Sequence, residues 1–234
     1  MKTTEKLAEL CGIIAGDGCI TYYKKNGDYR VQIFGDYKEI EYHNYIKTLF
    51  QNIFNKTPKT IYKDDGISIY LNSKDIITKL IKLGLPAGKK KDIIRIPKWI
   101  ISNKRFSAYF LRGLTDTDGS ITFKKGDRKT HSYPTIKIEL SSKKFIEDIK
   151  SVLKNFGISY CYYSDMKKSN FGVFRRYSLD INGKENLKKW RNLIGFSNRK
   201  HLNKIEFWDK YGYCLPYQSF LKTKSLINKV NLKF

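Results

Sequence analysis

Leu10-Cys11-Gly12-Ile13-Ile14-Ala15-Gly16-Asp17-Gly18-Cys19-Ile20-Thr21 and Leu111-Arg112-Gly113-Leu114-Thr115-Asp116-Thr117-Asp118-Gly119-Ser120-Ile121-Thr122 superpose without a gap, 101 positions apart in a chain of 234 residues. Leu, Gly, Asp, Gly, Ile and Thr coincide. A similar series follows each copy: two strands at about 19–35 and 120–141, and an amphipathic helix at about 37–54 and 142–156. Two more strands come next, at about 59–72 and 158–181, then a closing helix at about 73–84 and 183–195. Self-similarity of this kind marks a duplication. The expected fold class is α+β, built from tandem αββαββα units. Residues 1–102 form the first repeat and linker, and 103–234 the second repeat with a C-terminal tail.

The residue types support these elements. Leu7, Leu10, Cys11 and Ile14 share one helical face, and Ala8, Gly12 and Gly16 make a second face of small residues. Glycine inside a helix costs ~1 kcal/mol against alanine, so Gly12 and Gly113 need a reason, and close approach of two helix backbones supplies one. Gly18 and Gly119 are expected helix stops. Tyr29-Arg30-Val31-Gln32-Ile33 and Thr135-Ile136-Lys137-Ile138-Glu139-Leu140 alternate as half-buried strands. Asp36-Tyr37-Lys38-Glu39 has the spacing of a capping box, followed by an apolar face of Ile40, Ile46, Leu49, Phe50 and Ile53. Asn26-Gly27-Asp28 and Asp64-Asp65-Gly66 read as hairpin turns. Leu85-Pro86-Ala87-Gly88 and Ile96-Pro97 predict an irregular connection to about residue 105, and the tail after Trp208 has no counterpart in the first unit.

Lys and Arg number 46 against 22 Asp and Glu, a formal net charge of +24. Hydrophobic content of 41% with 15% aromatics supports a packed core and excludes a wholly disordered basic tail. The basic residues recur along the whole chain instead of gathering on one amphipathic helix. That favours nucleic acid over a membrane surface as the answering polyanion. No apolar run reaches the ~20 residues of a span, and the opening Met1-Lys2-Thr3-Thr4-Glu5-Lys6 has no secretory character, so an intracellular protein is expected. Cys11, Cys19, Cys161 and Cys214 lack disulfide or zinc spacing and read as reduced, mostly buried thiols. His43, His131 and His201 form no ligand pair and read as solvated or core side chains.

Two acids stand out, Asp17 and Asp118, at equivalent helix ends of the duplicated unit. If the two helices pack about a pseudo-twofold axis, the carboxylates converge and repel each other and the helix dipoles. Such a pair calls for a cation, and hard oxygen donors select Mg²⁺. A carboxylate–Mg²⁺ centre within a basic, sheet-rich surface suits phosphodiester hydrolysis.

The two segments resemble the motif of the LAGLIDADG homing endonucleases, and duplication, unit length and element order are similar to the monomeric, two-repeat branch. The resemblance covers about residues 5–205. It implies that Asp17 and Asp118 bind metal and are catalytic, with the Gly16 and Thr117 carbonyls completing the coordination. Mg²⁺ is the implied cofactor, for which Ca²⁺ or Mn²⁺ can substitute. It also implies motif helices at the interface of the halves, and two curved antiparallel sheets forming a saddle over the DNA major groove. Both strands would be cut with short 3′ overhangs. A basic residue after each unit's last helix supports the scissile phosphate in such proteins, which makes Lys89 or Lys90, and Lys200, the candidates. The sixth motif position is Ala15 in one copy and Asp116, a structural cap in relatives, in the other. Arg112 replaces a small residue at the second position and must lie at the rim of the helix pair. Gly35 and Ser141 fall near a position where a polar residue often helps place water; neither carries a role here.

Strand parity gives the recognition face. Counting in twos from each aspartate selects Cys19, Thr21, Tyr23 and Lys25 in the first unit, and Ser120, Thr122 and Lys124 in the second. Arg30 and Gln32 lie opposite Val31 and Ile33, and Lys137 and Glu139 opposite Ile136 and Ile138. Arg and Lys suit guanine, Gln adenine, and Glu the cytosine amino group. Because the two faces differ, the expected target is long, double-stranded and pseudo-palindromic. The expectation is therefore an Mg²⁺-dependent, monomeric DNA endonuclease, acting inside the cell where DNA is. Its alternatives are a maturase bound to intron RNA or a non-cleaving DNA-binding regulator. An excised intein domain is disfavoured by the start at Met1 and by an ending, Val230-Asn231-Leu232-Lys233-Phe234, that lacks His-Asn.

Overall fold

The computed structural model describes residues 3–63, 66–90, 93–126, 129–169 and 172–215. Helix α1 (Glu5–Ala15) starts where the Thr4 hydroxyl accepts from the Leu7 N–H at 3.2 Å, and it buries every residue from Leu7 to Ala15. That burial on all sides follows from its position between the two halves of the molecule. Its partner is the long motif helix of the second half, Lys104–Asp118, which buries Ala108, Phe110, Leu111, Gly113 and Leu114. A Cβ added at Gly12 would strike the Phe110 carbonyl and lie 2.9 Å from the Leu114 nitrogen; one at Gly113 would strike the Glu9 carbonyl. The glycines expected to permit close backbone approach do so, and that contact joins the halves.

Each half carries one four-stranded antiparallel sheet. In the first, β1 (Gly18–Tyr23), β2 (Asp28–Gly35), β3 (Lys59–Lys63) and β4 (Gly66–Asn72) lie in the order β1-β2-β4-β3. In the second, β5 (Gly119–Lys124), β6 (Tyr133–Leu140), β7 (Cys161–Ser169) and β8 (Gly172–Asn182) lie in the order β5-β6-β8-β7. The registers match as well, with Gly18 opposite Ile33 and Gly119 opposite Ile138. Helices α2 (Ile40–Phe54) and α3 (Lys74–Lys82) accompany the first sheet. The short α4 (Lys98–Ile101) precedes α5 (Lys104–Asp118), and α6 (Lys143–Asn155) and α7 (Lys184–Leu193) accompany the second sheet. Ile20, Val31, Ile33, Ile69 and Leu71, and Ile121, Ile136, Ile138, Leu179 and Ile181, are buried in one core. Burying each such side chain fully stabilises by roughly 1.5–3 kcal/mol.

Several expectations need correction. A final helix, α8 (Arg199–Tyr211), follows a cap in which the Asn198 side chain accepts from the Lys200 N–H at 3.0 Å. Its buried residues include His201 and Asn203, so the sequence lacks the apolar period that marks a helix. Within the linker, α4 interrupts the irregular connection, and Arg95 ties the linker to α6 through two bonds to Asp148 at 2.6 and 2.7 Å. Asp36 caps only a 3-10 turn, Tyr37–Glu39, and Glu39 does not complete the box; its carboxylate reaches across to α8. Ile40 is exposed. Helix α1 stops at Ala15, before Gly18, whereas α5 runs through Asp118 to Gly119. All four cysteines are free, but only Cys11 and Cys214 are buried; Cys19 and Cys161 lie on outer strand faces. By register, Gly35 matches Leu140 rather than Ser141. The Asp64-Asp65 part of one expected turn and the tail beyond residue 215 lie outside the described residues.

Candidate functional site

The ends of α1 and α5 meet. The Gly16 N–H closes α1 on the Gly12 carbonyl at 3.0 Å, and the following Asp17 is held by its carbonyl, which accepts from the Phe34 N–H at 3.2 Å. On the other side the Thr117 hydroxyl bonds back to the Gly113 and Leu114 carbonyls at 3.0 and 2.9 Å. A Cβ at Gly16 would collide with that hydroxyl and lie 3.4 Å from the Asp118 carboxyl carbon. Gly16, Asp17, Thr117 and Asp118 are thus brought together, two from each half.

Burial dominates the electrostatics. It raises Asp17 above the ordinary carboxylate range; Lys200 opposes this and Glu39 adds to it. Burial, reinforced by the neighbouring Asp17, pushes Asp118 up to about 6. Asp17 is thus close enough to act on Asp118, as converging carboxylates should. Lys90 sits at the end of α1 with Nζ donating to the Ala15, Gly18 and Ile14 carbonyls at 2.7, 2.8 and 3.2 Å, and to the Gly16 carbonyl. This is a cation on a helix C-terminus, where the dipole favours it. Burial lowers its pKa, while Asp118 and Asp17 pull the other way. Lys200 lies 3.4 Å from Glu39 and acts on both aspartates. Lys89 is exposed and is not part of this group.

Sequence reasoning missed three neighbours. Glu39 accepts from the Asn198 amide at 2.6 Å and faces Lys200; its capping-box spacing disguised it. His43 is buried on α2 with its Nδ1 3.0 Å from the Glu39 carbonyl. A cross-half network surrounds Glu9, whose carboxylate binds Arg112 at 2.5 and 3.0 Å and accepts from Tyr45 at 2.7 Å and Ser197 at 3.1 Å. Arg112 lies over the Tyr109 ring at 4.2 Å, at the rim as expected.

Asp116 lies just behind the site, fully buried, accepting from the Ser197 N–H at 2.7 Å. Burial pushes its pKa up to about 8. The unfolded carboxyl loses its proton near its ordinary value, whereas the folded one keeps it to about pH 8. Stability should therefore fall as pH rises from about 4 to 8 and be flat above. Asp116→Asn retains an acceptor for Ser197 and should remove several kcal/mol of that decline, which urea unfolding at pH 4, 6 and 8 measures. Equal pH slopes for variant and wild type would contradict it.

On the outer sheet faces, Cys19 pairs with Gln32, Thr21 with Arg30, Ser120 with Lys137 and Thr122 with Thr135. Tyr23 is 61% exposed. Lys25 lies off the strand, in the turn after β1, because β1 ends at Tyr23. Arg30 bonds Asn72 at 3.1 Å over the Tyr70 ring, and Gln32 donates to Ser68 at 3.0 Å. The second face is laced by ion pairs: Lys124–Asp180 at 2.8 Å, Lys137–Glu139 at 3.0 Å, Glu139–Arg176 at 2.6 Å and Arg176–Asp165 at 2.8 Å. Among the described residues no group of three or more His, Cys, Asp or Glu could hold a metal, and no helix is long and apolar enough to cross a membrane.

The paired sheets, glycine-bridged helices and converging carboxylates define a duplicated, two-domain fold with one composite site. The family model described as a LAGLIDADG-like domain matches residues 105–195. Residues 105–195 thus carry a LAGLIDADG-like domain, and the chain has the single-chain, two-domain fold of the LAGLIDADG homing endonucleases. The homing endonuclease I-DmoI, in complex with DNA and Mn, superposes with a TM-score of 0.59 at 19% identity, covering 83% of this chain and 98% of that one. The LAGLIDADG homing endonuclease I-GzeII, in complex with its DNA target, gives 0.56 at 14% identity, with 90% of each chain covered. Among curated proteins, the replication factor C small subunit of Methanocaldococcus jannaschii is 34% identical over 202 residues, 86% of this chain but 10% of that protein. The probable translation initiation factor IF-2 of the same organism is 30% identical over 95% of this chain and 18% of its own length. The chain thus spans a tenth to a fifth of these relatives.

Proposed function

We propose that this chain is a site-specific, divalent-cation-dependent DNA endonuclease that cuts both strands of a long, pseudo-palindromic target and leaves short 3′ overhangs. The observation carrying the proposal is the convergence of Asp17 and Asp118 at the ends of two packed helices, between two sheets with open polar faces. The residues present fit a metal. The donors are all oxygen, Asp17 adds to the raised pKa of Asp118, and the Lys90 ammonium seated on the Gly16 carbonyl marks the spot as one that holds a cation. Asp17, Asp118 and the Gly16 and Thr117 carbonyls would hold the ion, with Mg²⁺ as the resident and Mn²⁺ or Ca²⁺ able to replace it. When bound, the ion supplies Lewis-acid activation of water and charge neutralisation at the phosphate.

The chain's own groups do the rest. Lys200 and Lys90 offset phosphate charge as DNA approaches. Cys19, Thr21, Tyr23, Arg30 and Gln32 on one sheet, and Ser120, Thr122, Lys124, Lys137 and Glu139 on the other, read base edges, while Lys25 meets the backbone. Structures of the neighbour I-DmoI with DNA and Mn or Ca accord with this reading. Since both carboxylates come from one chain, a monomer suffices, acting within the cell on double-stranded DNA. Intron RNA is the second polyanion such a surface could hold. The match of one segment to relatives named for replication and for translation favours a module whose chemistry is independent of the protein around it.

The test is cleavage. The DNA flanks of the gene's insertion point, joined, should be cut by the purified protein with Mg²⁺ and left intact with EDTA. No cutting of that sequence, or of any member of a randomised target library, with Mg²⁺ or Mn²⁺ present would overturn the proposal.

A further inference from the structure

Near Asp17 lies a buried polar atom that none of the described residues satisfies. His43 is 2% exposed, and its Nε2 has no hydrogen-bond partner among the described residues. A carbonyl can only accept, so the Nδ1 atom 3.0 Å from the Glu39 carbonyl must carry a hydrogen. In the neutral ring this leaves Nε2 as a lone-pair acceptor. Its edge lies over Gly35: a Cβ there would be 2.5 Å from Cε1 and 2.6 Å from Nε2. Gly35 ends β2 immediately after Phe34, whose N–H holds the Asp17 carbonyl. In its charged form the ring lowers the Asp17 pKa, which places the imidazole near that carboxylate. Glycine at 35 is therefore what lets a helix-borne imidazole reach the edge of the site, and a buried acceptor without a donor calls for one.

The second half has no such device. The buried positions of α2, Tyr42, His43, Ile46, Leu49 and Phe50, repeat in α6 as Phe145, Ile146, Ile149, Val152 and Leu153. His43 thus corresponds to Ile146, a fully buried apolar residue. An ordinary core position would hold an apolar side chain in both halves.

We infer that His43 is the hydrogen-bond acceptor for the attacking water at one of the two strand cuts, and that the other cut proceeds without it. This rests on the endonuclease reading. In each cut the water oxygen bonds to phosphorus as a phosphodiester P–O bond breaks; one water proton passes to solvent and the leaving oxygen takes one from solvent. His43 aligns the water by accepting one of its hydrogens.

The experiment uses a supercoiled plasmid carrying the site on which the wild-type chain makes double-strand breaks. His43→Ile places in α2 the residue that α6 already buries. Its DNA affinity should be unchanged, while cutting of one particular strand slows by about 10²-fold, so that open-circular plasmid with the same strand intact accumulates. His43→Gln, which retains an acceptor, should restore part of the linear product. Independently of activity, ¹⁵N-imidazole spectra of the metal-free protein should show His43 protonated at Nδ1. Linear product at the wild-type rate from His43→Ile, equal slowing of both strands, or a hydrogen fixed on Nε2 would each overturn the inference. Wild-type protein unable to cut any target would instead overturn the endonuclease reading beneath it.

Discussion

Asp118→Asn should abolish cleavage and at the same time make the metal-free protein more stable at neutral pH. The unfolded carboxyl ionises near its ordinary value, but burial and Asp17 hold the folded group to about 6. Stability contributed by this site is therefore lost as pH climbs from about 4 to 6, and the full cost persists above. A shift of that size corresponds to roughly 3 kcal/mol. That pKa is already net of the opposing pull of Lys90 and Lys200, so the expected gain is about 3 kcal/mol at pH 7.5, shrinking to nothing near pH 4. Losing one of two carboxylates at the metal site should cost several kcal/mol of transition-state stabilisation, at least roughly a 10³-fold fall in cutting. DNA binding should survive, because the basic faces are untouched. Chemical unfolding at both pH values and plasmid cleavage with Mg²⁺ measure the two effects. Full cutting would dismiss the site, and equal stability at both pH values would dismiss the electrostatic account.

The legibility of this chain varied with how local the determining physics was. Asp17, Asp118 and the glycine contact were readable because a duplication shows the same chemistry twice, and Gly12 and Gly113 have no propensity reason to sit in helices. The strand faces were readable to the last paired residue, since period-2 alternation needs no tertiary knowledge; parity failed only at Lys25, where the strand had already ended. Long-range partners were not readable. Glu39 sits at capping-box spacing yet spends its carboxylate on Asn198 and Lys200, residues more than 150 positions away. His43 looked like any scattered histidine because its meaning depends on Gly35 being bare beside it. Helix α8 hides because it buries His201 and Asn203 where an amphipathic pattern would show leucines. The choice between Lys89 and Lys90 was open from spacing alone, and only the turn after α3 decides which ammonium reaches the end of α1.

Arg112→Met should unfold much of the population in moderately low urea, with a loss of about 3–5 kcal/mol. Glu9 is fully buried on α1, in the seam between the halves, and Arg112 is its only cationic partner among the described residues. Truncating one member of a buried ion pair leaves the other charge uncompensated, and that penalty, not the pair's net worth, sets the magnitude. Methionine preserves most of the side-chain volume over Tyr109, so a packing defect contributes little. The companion variant Arg112→Met/Glu9→Gln separates the two causes. The amide introduced by Glu9→Gln carries no charge and can still accept from Tyr45 and Ser197, so the double variant should recover most of the loss. If the double variant is as unstable as the single one, the cost lies in packing at the rim of the helix pair. If the single variant is as stable as wild type, the Glu9 network does not hold the halves together. The expected pattern, a large single loss with recovery on neutralising the partner, would mean that the residue departing most from the small-residue pattern of the motif helices is matched by an equally unusual acid on the facing helix.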